Sequence, residues 1–424
     1  MLRNLFNEGA FIFGGRVLGV GVTFFYTAVI TKSLGASQAG LFFLGQTIIL
    51  ILSLVSRLGF DNLMVKKMAI HSIGEDRDEI WSLLLKVITL VAITSICIVL
   101  LLNFLSSSLE SVFAISGLQV TISIMSISIP MMALLYIVSE SLKGLFFTVW
   151  ATFTQSLLLP ITFSLILYWL IKGLTIENVL WGYVFATIIS LFVVGCIWLF
   201  KIGLPDSKFL NAFPETSGHL LGESLPLLWA GAAGLIFSWT DTLVLGAVQN
   251  SKEVGLYVVA SRSSQVIALI LMVANTLLGP RFARLYNDAH IERLKNLFFK
   301  TAIFMFVAGL IAIIPFLFFP KEILVLFGEE FIVAVNALTI LVFGQFVNVA
   351  SGAGGILLVM AGKAKIIKVI MILTALFNLF LSYLLGVSFG AVGVAVATAI
   401  SMALMNVLIF SHVLKFFKIT SYEG

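Results

Sequence analysis

Residues 10–31 read AFIFGGRVLGVGVTFFYTAVIT, an apolar run broken by one charge, Arg16. A bilayer core about 30 Å thick is crossed by a helix of roughly 20 apolar residues. The run is too long for the core of a signal peptide, holds Arg16, and shows no clear small-residue cleavage site. It reads as a first spanning helix. Eleven further runs pass the same test: 39–60, 81–104, 117–139, 147–171, 177–200, 222–247, 254–280, 297–319, 332–360, 365–385 and 390–414. Of the 424 residues 60% are hydrophobic and 11% charged, against about 25% charged in soluble domains. Mean hydropathy is +1.14. The longest polar stretch, Lys201 to His219, is too short to bury a core of its own. The expected fold is an all-α membrane protein of twelve transmembrane helices.

The connectors are short and built from turn residues, as in Ser33-Leu-Gly-Ala-Ser37, Gln249-Asn-Ser-Lys252 and Ala361-Gly-Lys363. Lys321 to Glu330, after Pro320, reads as a short interfacial helix, and Gly352, Gly354 and Gly355 are expected to bend 332–360. With the N-terminus counted as cytoplasmic, the inner regions hold 18 lysines and arginines and the outer loops four, Lys32, Lys172, Lys252 and Lys321. That asymmetry places both termini in the cytoplasm, as an even number of spans requires.

The second half echoes the first. Gly182-Tyr-Val-Phe-Ala-Thr-Ile-Ile-Ser190 matches Gly393-Val-Ala-Val-Ala-Thr-Ala-Ile-Ser401, and Ser37-Gln-Ala-Gly40-Leu-Phe42 matches Lys252-Glu-Val-Gly255-Leu-Tyr257. The expected organisation is a six-helix lobe at 1–200, a cytoplasmic linker at 201–221 and a second six-helix lobe at 222–424. A pseudo-twofold axis along the membrane normal would relate the lobes, with a substrate site between them.

Charges inside spans are costly, so they normally face a cavity or a partner. Arg262 lies about 12 Å inside the outer end of its span and Asp241 about 9 Å inside the same surface, at 1.5 Å per residue. They could form an ion pair or share a cavity. Arg16 lies about 9 Å from the inner surface by the same arithmetic. Arg57 and Asp61, and Glu140 and Lys143, fall near inner ends of spans, where snorkelling competes with a cavity role. A guanidinium fork suits phosphate oxygens. Arg16 and Arg262 are therefore candidates to line a central cationic cavity that binds substrate, with Gln265, Asn275, Gln345 and Asn348 as weaker polar candidates. If desolvated, Asp241 could titrate, which would allow coupling to a proton or sodium gradient.

No Walker motif and no HExxH occur, the four histidines are scattered, and no loop is long enough for a usual catalytic site. No catalytic residue, metal site, cofactor or nucleic-acid partner is expected. Cys97 and Cys196, inside apolar runs, read as small packing residues.

Asp241-Thr-Leu-Val-Leu-Gly246, Val254-Gly-Leu-Tyr-Val-Val-Ala-Ser-Arg262 and Leu278-Gly-Pro-Arg-Phe-Ala-Arg-Leu285 resemble polysaccharide (O-antigen or capsule type) repeat-unit flippases, as do Ser33-Leu-Gly35, Gly40 and Leu58-Gly59. These belong to the multidrug/oligosaccharidyl-lipid/polysaccharide exporter superfamily. The resemblance implies transfer of undecaprenyl-pyrophosphate-linked oligosaccharide to the outer leaflet of a bacterial or archaeal cytoplasmic membrane by alternating access. It implies cavity roles for Arg16, Arg57 and Arg262, with Asp241 as a coupling or partner acid. Expected partners are membrane lipids, the lipid-linked oligosaccharide and other polysaccharide-assembly proteins. A drug/cation antiporter of the same fold is the alternative. A membrane polymerase or glycosyltransferase is disfavoured by the short loops.

Overall fold

The computed structural model describes residues 2–71, 77–205 and 216–420, with side chains at all of these except 2–8, 10, 71, 172, 229–238 and 419–420. Every regular element among the described residues is helical. The α-helices are α1 (Leu2–Ser56), α2 (Phe60–His71), α3 (Arg77–Phe113), α4 (Leu118–Met125), α5 (Ser128–Gly144), α6 (Thr148–Phe153), α7 (Leu159–Leu170), α8 (Ile176–Ile202), α9 (Ser217–Val248), α10 (Ser251–Asn287), α11 (Ile291–Phe318), α12 (Pro320–Val325), α13 (Val335–Ala350), α14 (Gly354–Met360) and α15 (Ala364–Thr420). A π-helical turn, Thr154–Leu158, joins α6 to α7.

By length and apolar character, eight helices among the described residues can cross a membrane, or nine when α4 and α5, bent by 42°, count as one span. Two of the eight, Phe11–Ser56 and Ala364–Lys418, run 46 and 55 residues, more than twice the ~20 a crossing uses. Each breaks at one glycine. Gly35 has φ 77° and ψ 174°, and Gly390 has φ 55° and ψ −137°. Only glycine adopts such values without strain, so each long helix has the length and the break for two crossings. The expected spans 10–31 and 39–60, like 365–385 and 390–414, are thereby joined without a loop. The expected bend in 332–360 is the break at Gly352, φ 77°, between α13 and α14. Lys321 to Glu330 begins as α12 and runs into a 3-10 turn at Glu329–Ala334.

The chain forms two compact units, one of residues 1–34 and 41–232, the other of 35–40 and 233–424. Of the linker expected at 201–221, residues 206–215 lie outside the described residues.

In the first unit α2, α3, α5 and α8 bury Phe60, Met64, Val87, Ile137, Leu142 and Trp198 together. Two polar contacts tie this packing together. Trp198 Nε1 donates to Ser141 Oγ at 2.8 Å, and Ser139 Oγ lies 2.8 Å from Thr154 Oγ1. The rings of Tyr26, Phe42, Phe163 and Tyr183 form a cluster with centroids 5.2–5.7 Å apart, edge-to-face except for the stacked pair Phe42 and Phe163. Thr175 caps α8 by accepting from the Asn178 backbone N–H at 3.3 Å. Cys97 and Cys196 are both exposed. The expectation that they pack is corrected: each sits on an outward helix face, as do Phe104 and Phe200, because a lipid-facing surface is as apolar as a core.

In the second unit Phe282, Leu294, Phe298, Leu357, Val413 and Phe417 form the core. Residues 35–40 belong here and pack on α10. A Cβ on Gly40 would overlap the Ser251 carbonyl oxygen, and one on Gly255 would overlap that of Ala36. Gly40 and Gly255 are the paired glycines of the internal repeat. Glu330 accepts from the Ala36 N–H at 2.7 Å just after the Gly35 break. Glu253 accepts from the Ala391 N–H at 2.8 Å just after Gly390. Both glycine breaks free a helix N-terminus, and in both a carboxylate satisfies it.

Candidate functional site

Each unit holds a polar centre inside apolar helices. In the second unit α9 places Asp241, which is 4% exposed. Its Oδ1 accepts from Asn378 Nδ2 at 2.7 Å and Ser382 Oγ at 3.2 Å. Its Oδ2 accepts from Tyr257 Oη at 2.6 Å and Thr398 Oγ1 at 2.7 Å. Asn378 and Ser382 stand one helical turn apart on α15, so they reach the same oxygen. Tyr257 comes from α10, and Thr398 from the part of α15 beyond Gly390. The four donors are neutral and fill the sites a carboxylate offers. Asn378 Oδ1, fully buried, has no hydrogen-bond partner among the described residues. The centre thus combines one acid with an uncommitted amide oxygen, a donor set for a proton or a small hard cation.

In the first unit Arg57, 7% exposed, is held at the break between α1 and α2. Its Nη1 bonds Asp61 Oδ1 at 3.0 Å and its Nε donates to the Ser53 carbonyl at 3.2 Å. Its guanidinium carbon lies 4.4 Å from the centroid of the Tyr136 ring. One turn beyond Tyr136 on α5, Glu140 bonds Lys143 Nζ at 3.0 Å and accepts from Gln155 Nε2 at 3.0 Å. Gln155 lies in the π-helical turn, a kind of irregularity frequent at functional sites. Both acids of this centre therefore have cationic partners.

The other sequence candidates fall as follows. Arg16 is exposed on α1, and no described residue forms an ion pair with it. Arg262 is half-buried on α10, and the four hydrogen bonds of Asp241 go elsewhere than to it. Gln265 is exposed and donates to Ser261 Oγ at 3.4 Å. Asn275 is half-buried with Oδ1 unpartnered. Gln345 and Asn348 do come together: Asn348 Nδ2 lies 3.5 Å from Gln345 Oε1, and Asn348 Oδ1 accepts from Asn406 Nδ2 at 3.1 Å. Ser351 Oγ completes this ladder by donating to Asn406 Oδ1 at 2.7 Å, beside the Gly352 break.

Sequence reasoning did not select Tyr257, Ser382 and Thr398, nor Tyr136. The available signal was the turn-spaced pair Asn378 and Ser382 in an otherwise apolar run, and Tyr136 with Glu140 at the same spacing.

The polysaccharide biosynthesis protein family matches residues 5–286, and the MatE family matches residues 226–384. A probable low-salt glycan biosynthesis flippase, Agl15 of Haloferax volcanii, is 26% identical over 96% of this chain and 81% of its own length. Among solved structures, the lipid II flippase MurJ in an inward closed conformation superposes with a TM-score of 0.77 at 18% identity, covering 98% of this chain and 90% of that one. An inward-facing MATE-family multidrug resistance transporter of the MOP superfamily gives 0.74 at 16% identity, covering 99% and 95%. A MOP superfamily transporter from Pyrococcus furiosus gives 0.66 at 15% identity over 98% and 96%. The fold is the two-lobed, all-helical fold of that superfamily. The chain is a multi-pass membrane protein and belongs to the polysaccharide biosynthesis protein family.

Proposed function

We propose that the protein is a flippase that moves undecaprenyl-pyrophosphate-linked oligosaccharide from the cytoplasmic to the outer leaflet of the cytoplasmic membrane, for assembly of a surface polysaccharide. In this reading the chain crosses twelve times with both termini cytoplasmic, the two kinked helices supplying two crossings each, and works by alternating access. The observation that carries it is Arg16, exposed on an apolar helix with no ion pair among the described residues. The two acids of the first unit's polar centre, Asp61 and Glu140, are meanwhile engaged by Arg57 and Lys143. Such a unit suits an anionic ligand better than an organic cation. Arg16 would hold the pyrophosphate.

Asp241 would couple transport to a proton or sodium gradient. A proton would occupy one carboxylate oxygen. A sodium ion would use the carboxylate and Asn378 Oδ1 after the hydroxyl donors reorient. The glycan flippase likeness and the match to the polysaccharide biosynthesis protein family support the cargo.

The test is reconstitution of the full chain in vesicles with a lipid-linked oligosaccharide, reading its appearance in the far leaflet under imposed proton and sodium gradients. Gradient-dependent transfer that Arg16→Ala abolishes and Arg16→Lys partly keeps is expected. Exchange of an organic cation with no movement of the glycolipid would instead establish the antiporter reading.

A further inference from the structure

Two recesses run end to end along α1 within the first unit. Gly14, Gly15 and Leu18 face Thr152 and Leu157 across a recess of 570 Å³. Beyond it Gly21, Val22 and Phe25 face Ser164 and Tyr168 across one of 430 Å³. Leu18 lines both, so they form one apolar groove. From Phe11 to Phe25 it extends about 21 Å at 1.5 Å per residue.

Both walls are built for continuity. The α1 residues fall on one stripe of a regular helix. On the opposite wall, the residues before the π-helical turn and those after it would face directions about 100° apart if α6 and α7 were one uninterrupted α-helix. The turn at Thr154–Leu158 accommodates one extra residue and returns both sets to the same face.

The glycines of α1 point to an occupant. Gly19 is required by packing, since a Cβ there would overlap the Ser156 carbonyl oxygen. Gly14 and Gly21 are not, because a Cβ at either would find nothing within 4 Å, although glycine disfavours a helix interior. Their missing side chains only keep the groove open. Ser164, 9% exposed, lies along its second half, with its hydroxyl oxygen turned into the protein and without a hydrogen-bond partner among the described residues.

We propose that this groove seats the polyisoprenoid tail of the lipid-linked substrate while Arg16, on another face of α1 at the height of Gly14 to Leu18, takes the pyrophosphate. This rests on the flippase reading above. Charge and depth choose the lipid. Arg16 lies about 9 Å inside the apolar run, whereas a phospholipid keeps its phosphate at the interface. The lipid that satisfies both faces of α1 has an anionic head drawn inward and a long apolar tail.

The test uses the full chain in phosphatidylcholine vesicles with undecaprenyl pyrophosphate carrying a diazirine in its tail. Illumination should label peptides containing Phe153 and Leu165 in the wild type, and labelling should fall by about tenfold in Gly14→Leu/Gly21→Leu. Binding of geranyl pyrophosphate, too short to need the groove, should stay within about twofold. Gly21→Leu alone, whose Cβ meets nothing within 4 Å, serves if the double variant does not fold, and should lower labelling of Leu165 more than of Phe153. Undiminished labelling in the folded variants overturns the groove, as does equal labelling of the same peptides by a diazirine phosphatidylcholine. A wild type that binds both pyrophosphates but labels elsewhere overturns the groove alone. One that binds neither overturns the flippase reading as well.

Discussion

Tyr257→Phe isolates the strength of the Asp241 centre. The substitution deletes one hydroxyl and leaves the ring volume unchanged. It removes the 2.6 Å bond to Asp241 Oδ2, while Thr398 still donates to that oxygen at 2.7 Å. A hydrogen bond to an ionised group contributes about 1.5–3 kcal/mol and a neutral one about 0.5–1.5. Polar pairs within membrane proteins average lower, near 0.6 kcal/mol. For a fully buried acid with four neutral donors we expect a loss of about 1–2 kcal/mol. The partner mutation is Asp241→Asn, which the site can absorb in one orientation. The new NH₂ must face Tyr257 and Thr398, whose hydroxyls can turn to accept, because the Asn378 NH₂ cannot. Reversible unfolding in mixed micelles, run on both single variants and the double variant, yields the coupling energy. A coupling of at least about 0.5 kcal/mol is expected. Zero coupling with both single variants destabilised would mean that Tyr257 and Asp241 do not share a bond, and the centre would have to be redrawn.

Arg57→Ala strips Asp61 of its guanidinium partner, and we expect a loss of about 3 kcal/mol or more, as for other broken buried pairs, read from the same unfolding assay. Arg57→Lys should recover only part of it, since an ammonium cannot reach Asp61 and the Ser53 carbonyl together. Gly40→Ala drives a methyl into the Ser251 carbonyl and should cost about 1–3 kcal/mol, lowering the melting temperature of the purified protein. Gly19→Ala should behave likewise against Ser156, whereas Gly21→Ala should be neutral or stabilising by up to about 1 kcal/mol. Glu253→Gln keeps the size of the cap at Ala391 but removes its charge, and we expect a drop of about 0.5–1 kcal/mol that high salt diminishes.

The helical character of the chain and the bend near Gly352 are plain from apolar length and glycine placement. Residues 33–37 read as a loop but are not one. The turn residues there are real, yet a single glycine at φ 77° plus the Glu330 carboxylate lets the helical ladder resume at once. The acid comes from 294 residues away, beyond any local pattern. The candidate site was legible at its charges and not at its neutral donors. Arg57 and Asp241 stand out because charges are rare in spans. Tyr257, Ser382 and Thr398 look like ordinary polar residues until α10 and both parts of α15 meet α9. Arg262 sits at a depth close to that of Asp241 by linear arithmetic, but depth says nothing about azimuth around a helix, and the hydrogen bonds of Asp241 run to other residues.

The turns at Gly35 and Gly390 have a practical bearing on how the orientation of this chain can be measured. A protease needs an extended strand to bind, and an epitope tag needs slack chain on either side. Neither turn provides them, so tags inserted there would uncap a helix and report on a damaged protein. Single cysteines at Lys32 and Ser37, both exposed on either side of the first turn, leave the backbone intact. Their reaction with a reagent that cannot cross the bilayer would assign that turn to one side of the membrane.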